Sequence, residues 1–371
     1  MVEKAGKQPG GPGRAPDDPL LWPFAAARLA MDTCFWWLER GPPEQDESGV
    51  PWTAPNAVAL ELATMRLRDC TRGRSGQPAL VCAPYALHRA VIADFASGHS
   101  VVQSLQDGGI DRVYLTDWRS ATPDMRHLSI DSYLGDLNVA IDEIGVPVDL
   151  VGLCQGGWLS LLYAARFPAK VRRLVLVGAP VDLSIESALS QLARSAPEMV
   201  YDQLVARGGG NVSGDEMLRF WSKPPSRDDI AAALQKDLSD EEGAALLARF
   251  DRWNMETLNL PGTYYLQIVN WIFRENRIAG GSFVALGRQI DLRDVTAPVF
   301  LLAGLDDDVV PAAQALATAD LLGTPPAFVT AASEPSNHLG LFMGARTHAH
   351  AWPRIAKWLR DDLPGMLVRS A

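Results

Sequence analysis

Cysteine is scarce in this chain, long apolar runs are missing, and basic residues are in the minority. The four cysteines among 371 residues, Cys34, Cys70, Cys82 and Cys154, show no paired spacing. A disulfide framework is thereby excluded, and with no secretory leader read at the start, a reducing cytoplasm is the expected compartment. No run approaches the roughly 18 apolar residues of a membrane span. Lys and Arg number 34 against 44 Asp and Glu, a net charge of −10, which argues against nucleic acid as the main partner. Neither a Gly-rich phosphate loop nor zinc-ligand spacing occurs, so no metal and no cofactor is expected.

What the chain does have is an apolar fraction of 47%, ample for a large core, and one stretch that organises the rest. Residues 148–157 read Val-Asp-Leu-Val-Gly-Leu-Cys-Gln-Gly-Gly, a short buried-type strand ending on G-x-C-x-G and passing into helix-forming sequence. This is the pattern of a nucleophile elbow, with cysteine at the strained turn and Gly152 and Gly156 where a larger side chain would clash. The turn puts Cys154 at a helix N-terminus, where unpaired N–H groups and the helix dipole favour a thiolate. The N–H of Gln155 is the natural first oxyanion donor. A buried apolar cysteine is the competing reading of Cys154. Context separates the two: a helix follows at 158–166, closed by Phe167-Pro168, and then a second strand at 173–177.

Along the chain, residues 1–19 are rich in Gly, Pro and charge and read as a disordered tail. Residues 20–67 read as an N-terminal helical segment. Its first part carries Trp22, Phe24, Phe35, Trp36 and Trp37, a composition suited to docking on the body or to a lipid or polyester surface. Its last part, 53–67, reads as a further amphipathic stretch. Strands are expected at 77–84 and 112–118, with helices at 100–106 and 128–144. Strands alternating with helices imply a mainly parallel sheet with right-handed crossovers. The alternation breaks at 181–294, a mostly helical insertion rich in aromatics and placed as a lid, before the sheet resumes at 297–303 and 326–330. A last helix is expected at 349–359. The core is then 68–180 together with 295–371. The loop after the strand at 77–84 is where this fold places its second oxyanion N–H, so Tyr85 is the expected donor; His88 lies in the same loop as a surface or substrate-contact residue.

Two further loops complete a set. The strand at 297–303 leads into Asp306-Asp307-Asp308-Val309-Val310-Pro311, and of the three carboxylates Asp307, four residues before the proline, is the expected acid. The loop after the last strand presents Ser336-Asn337-His338. The order Cys154, Asp307, His338 reproduces nucleophile, acid and base of the α/β-hydrolase fold, each at the C-terminal end of an expected parallel strand.

At this point the chain resembles the polyhydroxyalkanoate synthases, most closely the short, two-component class. The likeness rests on Val113-Tyr114-Leu115-Thr116-Asp117-Trp118, on Gly152-Leu153-Cys154-Gln155-Gly156-Gly157 through Tyr163, and on Ala179-Pro180-Val181-Asp182. It continues in Asn259-Leu260-Pro261-Gly262, in Glu275-Asn276, in 284–292 and in 307–340. The resemblance implies an acyltransferase that loads hydroxyacyl groups from hydroxyacyl-coenzyme A onto Cys154 and builds a polyester chain. His338 would be the general base, and Asp307 its partner or a second base. It also implies a helper subunit or a homodimer, and a polyester granule surface as a place of action. The chain departs from the family at Trp158, Asp308, Asn337 and His88, which crowd or recharge the pocket. The ending 338–344 is similar to that of intracellular polyhydroxyalkanoate depolymerases. An ester or thioester hydrolase with the same triad therefore stays open beside the synthase, with a non-catalytic granule protein as the third reading.

Overall fold

A computed structural model describes residues 49–145, 147–221 and 225–362. The expected tail at 1–19, the aromatic stretch 20–48, Cys34 and the Lys223-Pro224 punctuation lie outside the described residues. Eight strands form one sheet: β1 (Ala57–Glu61), β2 (Met65–Asp69), β3 (Ala79–Cys82), β4 (Val113–Trp118), β5 (Val148–Leu153), β6 (Val171–Val177), β7 (Val299–Gly304) and β8 (Val329–Glu334). Their spatial order is β1-β2-β4-β3-β5-β6-β7-β8. The pairs β1·β2 and β2·β4 are antiparallel, and all other neighbours are parallel. Every residue of β5 and β7 is buried, as expected of parallel strands covered on both faces.

Helices α1 (Val101–Asp107), α2 (Ile130–Ile144) and α3 (Gln155–Arg166) connect the first half of the sheet. Ser100 starts α1 by accepting a hydrogen bond from the Gln103 N–H, the usual way of satisfying an orphan donor at a helix start. Tyr133, Leu137, Ala140 and Ile144 give α2 a continuous buried stripe, because residues three and four apart share one helix face.

Between β6 and β7 the sheet is interrupted by α4 (Ala188–Ser195), α5 (Glu198–Arg207), α6 (Gly214–Trp221), α7 (Arg227–Leu234), α8 (Glu241–Met255) and α9 (Gly262–Gln267). The last of these runs on as a π-helix, Ile268–Arg274, a widened turn that often marks functional sites. The chain ends its described part with α10 (Ala312–Ala317), α11 (Gly340–Met343) and α12 (Ala345–Arg360). Among the described residues no helix is long and apolar enough to cross a membrane.

Two of the differences from the sequence expectation have a clear local cause. The described end of the segment read as helical, 20–67, is an antiparallel hairpin, β1 with β2. The cause is a period of two: Met65 and Leu67 are fully buried, while Arg68 turns outward to pair with Asp117 at 2.6 Å and lies over the Trp52 ring. Five residues with alternating sides suit a strand and are too few for a helical stripe. The strand expected at 326–330 begins only at Val329, because Pro325 and Pro326 lead into a single 3-10 turn, Pro326–Phe328, and proline brings no N–H to a ladder.

Short α11 follows directly on His338 and is held from below by two buried imidazoles. His99 Nδ1 donates to the Met343 carbonyl at 2.7 Å. His348 Nε2 donates to the Phe342 carbonyl at 2.8 Å while its Nδ1 accepts from Ser104 Oγ at 2.8 Å. Both rings are therefore neutral in the folded chain. Burial lowers the His99 pKa and takes that of His348 down to about 3, against the weaker raising effect of its bond to Phe342. A folded pKa below the unfolded value means that stability is complete above the ordinary imidazole pKa of about 6.5 and is lost as pH falls through it. Between pH 7 and pH 4.5 the chain is expected to lose on the order of 2 kcal/mol through His348. In denaturant titrations at the two pH values, His348→Gln should lose measurably less on acidification than the native chain does; an equal loss would rule His348 out as the source.

Candidate active site

The site is built where β5 turns into α3. Cys154 occupies that turn with φ +49° and ψ −117°, a backbone region that a side chain enters only under strain. Its N–H donates to the Val177 carbonyl of β6 at 2.9 Å, which ties the elbow to the neighbouring strand. The surrounding glycines make the turn sterically feasible. A Cβ on Gly152 would lie 2.5 Å from the Gly157 Cα, and one on Gly156 would lie 2.1 Å from the Cys82 carbonyl oxygen. Cys154 itself is half-buried, whereas Cys70 and Cys82 are buried. Burial pushes the thiols of those two up to about 12, so neither is a thiolate near neutral pH.

His338 reaches the same point from the loop after β8, and Asp307 from the loop after β7. Their contact is direct: His338 Nδ1 lies 2.7 Å from Asp307 Oδ2. The other carboxylate oxygen, Oδ1, accepts from the N–H groups of Val309 and Val310 at 3.0 and 2.8 Å, so the acid is held from both ends. With Nδ1 engaged, Nε2 is the nitrogen left for Cys154, which lines the same cavity. Burial works to lower the His338 pKa, but the Asp307 carboxylate and then Cys154 outweigh it, and the imidazole is held well above its ordinary value. Asp306 and Asp308 are both exposed, and Asp308 borders the cavity described next.

A cavity of about 480 Å³ opens over Cys154 and His338. Its core side includes Pro84, Ala86, Leu87 and His88; the insertion contributes Leu192, Trp221, Trp253 and Phe273. The aromatics of 181–294 are visible in the sequence, but nothing in their spacing says which of them meet above the cysteine. The same holds for His88, which borders the cavity and lies against Trp253 with ring centroids 4.4 Å apart and planes tilted by 45°. Tyr85 is turned the other way: its side chain is buried, its hydroxyl donates to the Asn259 carbonyl at 3.1 Å and meets the Tyr133 hydroxyl at 3.0 Å. Its neighbours Pro84 and Ala86 line the cavity, and the Tyr85 side chain does not. Gln155 borders the cavity as well, and as the first residue of α3 it has one of the N–H groups that find no carbonyl within the helix. Among the described residues no group of three His, Cys, Asp or Glu side chains could hold a metal ion.

The α/β hydrolase fold family matches residues 95–338 of this chain. The poly(3-hydroxyalkanoate) polymerase subunit PhaC of Synechocystis sp. is 30% identical over 334 residues, covering 85% of this chain and 87% of that protein. The polymerase subunit PhaC of Allochromatium vinosum is 29% identical over 299 residues, covering 77% and 81%. Among solved structures, the monoacylglycerol lipase of Paleococcus ferrophilus superposes with a TM-score of 0.52 at 16% identity, covering 80% of this chain and 98% of the lipase. The bromoperoxidase of Bacillus anthracis gives 0.52 at 17% identity, with 84% and 100% covered. At that distance the two structures speak to the fold alone.

The crowding at Gly156 yields a direct test of the elbow. Gly156→Ala brings its methyl against the Cys82 and Ala83 carbonyls, backbone atoms with no freedom to move aside, and should cost about 3 kcal/mol or more. Alkylation of Cys154 by iodoacetamide should slow with it. Gly135→Ala, on α2 with open space around the new methyl, is the matched control and should stabilise by about 0.5–1 kcal/mol. Equal denaturation midpoints for the two variants would mean that the elbow is not sterically constrained.

Proposed function

Since this chain belongs to the poly(3-hydroxyalkanoate) polymerase family within the α/β-hydrolase fold, we propose that it is an acyltransferase that polymerises hydroxyacyl groups from hydroxyacyl-coenzyme A through Cys154. The observation that carries the reading is the His338–Asp307 hydrogen bond at an apolar cavity that Cys154 and His338 line together.

The chemistry follows from the three side chains. His338 Nε2 takes the proton of the Cys154 thiol, and the thiolate attacks the thioester carbonyl of the substrate. The carbon–sulfur bond to coenzyme A breaks, the leaving thiolate recovers the proton from His338, and the hydroxyacyl group stays on Cys154. One thioester replaces another, so the step is nearly balanced in free energy. In the second step His338 accepts the proton of a hydroxyl on another hydroxyacyl group. That oxygen attacks the acyl-cysteine carbonyl, and Cys154 leaves. An ester bond has formed and the chain is longer by one unit. Asp307 holds the imidazole in the tautomer that offers Nε2 as acceptor and stabilises the ring once charged.

Both steps pass through an oxyanion, for which the Gln155 N–H at the start of α3 is the first donor and the Tyr85 N–H the second. The insertion 181–294 acts as a lid. Its apolar side chains over Cys154 keep water from the acyl-enzyme, so that a hydroxyl rather than water resolves it. The relatives are named as polymerase subunits, which supports assembly with a second polypeptide or a second copy. A granule surface as the place of action belongs to the same reading, with the aromatic residues of 20–39 as the part of the sequence suited to reach it.

The test is to incubate the pure protein with 3-hydroxybutyryl-coenzyme A and follow free thiol, polymer and free acid together. Thiol with polymer is the expected result; thiol with stoichiometric free acid would instead make the protein a hydrolase. Cys154→Ala should reduce thiol release by roughly a thousandfold or more, since no second acceptor is available. Asp307→Asn should cost roughly a thousandfold by presenting the wrong tautomer of His338, while Asp306→Asn and Asp308→Asn, at exposed positions, stay within about threefold. Similar losses across the three aspartates would overturn the assignment of the acid.

A further inference from the structure

The apolar cavity over Cys154 contains one side chain that the mechanism leaves idle. His88 borders the cavity, yet its Nδ1 is buried with no partner, and its imidazole makes no hydrogen bond to any described side chain or carbonyl. Its position is nonetheless closely fixed. The Leu258 N–H donates to the Leu87 carbonyl at 2.8 Å, and His88 forms a β-bridge with Thr257. Trp253 backs the ring and donates its own Nε1 to the Arg89 carbonyl at 3.3 Å. Nδ1 is sealed off from the cavity, so Nε2 is the nitrogen that a ligand can reach. In apolar surroundings that supply it no partner, Nε2 marks a place for a polar group of the ligand.

We propose that His88 is a specificity-determining residue that hydrogen-bonds the hydroxyl of the bound hydroxyacyl group, and so separates hydroxyacyl from plain acyl thioesters. The inference rests on the acyltransferase reading above. The chemistry of the pair fits: Nε2 of a neutral imidazole is a donor or an acceptor according to the tautomer, and a hydroxyl answers either. The ring is neutral at physiological pH, because burial takes its pKa down to about 4, so no counter-charge is required in the cavity. Gln155, whose Oε1 is also unpaired, sits next to Cys154 in sequence, beside the reacting carbonyl. His88 comes from a different loop, across the cavity wall that carries Leu87 and Trp253, and is free for a group further along the acyl chain. A site built to bond a hydroxyl discriminates against the analogue lacking it, because the buried group is then left unpaired again.

The experiment compares single-turnover acylation of the full chain by 3-hydroxybutyryl-coenzyme A and by butyryl-coenzyme A. Thiol release is followed, and the acyl adduct on Cys154 is identified by intact mass. The native chain should prefer the hydroxyacyl thioester by about 10- to 100-fold in rate at limiting substrate. His88→Phe keeps a ring against Trp253 and removes the nitrogens; it should bring the two thioesters to within about threefold of each other, chiefly by slowing the hydroxyacyl one. His88→Asn, which restores a donor and an acceptor, should recover part of the preference. Iodoacetamide labelling of Cys154 in each variant reports that the site is folded. If labelled, folded His88→Phe keeps the native preference, or slows both thioesters alike, the assignment to His88 is overturned while the acyltransferase reading stands. If neither thioester loads Cys154 in the native chain, the acyltransferase reading fails and the inference falls with it.

Discussion

The strained turn at Cys154 is the constraint on which the rest depends. A side chain held at φ +49° persists only if the surroundings over-determine it, and here they do so from three directions. Gly156 lets the Cys82 and Ala83 carbonyls approach, Gly152 lets α3 close onto β5, and the β6 carbonyl of Val177 takes the Cys154 N–H. The consequence is chemical as well as geometric. A thiol raised on such a turn stands clear of the sheet at the start of a helix, within reach of groups from other strand ends.

Those other groups arrive by topology. In the order β3-β5-β6-β7-β8 the strands run parallel, so the loops after β3, β5, β7 and β8 all open at one edge. Residues more than 180 positions apart meet there with no direct sequence signal of their contact. The insertion after β6 closes the space above that edge. Because its inner wall is mainly apolar, the few polar groups that line it stand out, Gln155 and His88 among them. In surroundings that supply so few partners, each such group is either committed to a neighbour or waiting for a ligand.

Cys154, Asp307 and His338 are legible because each sits in a short motif bound to a strand end: G-x-C-x-G, the carboxylate four residues before Pro311, and the histidine ahead of Leu339-Gly340. The hairpin of β1 and β2 is not legible in the sequence, because five-residue stretches such as Ala57–Glu61 carry too few side chains to separate a period of two from a helical stripe. The strand start at Val329 was misjudged by three residues, a local effect of two prolines. Asp307 among three neighbouring aspartates was selected by spacing to a proline; in the folded chain the choice rests on the two N–H groups of Val309 and Val310 that fix its other oxygen.

The sequence by itself determined the alternation of buried strands with amphipathic helices, the glycine-flanked cysteine turn and the order of the three reactive residues. All of these are local or periodic properties, written within a few residues of one another. Only the tertiary structure decided that Nδ1 of His338 faces Asp307 and leaves Nε2 for the thiol. It also decided that Tyr85 points into the core while His88 borders the cavity, and that Trp221, Trp253 and Phe273 meet above Cys154. These are relations between segments far apart in the chain. They depend on which face each loop turns inward, which is settled by close packing of the whole interior rather than by the preference of any one residue.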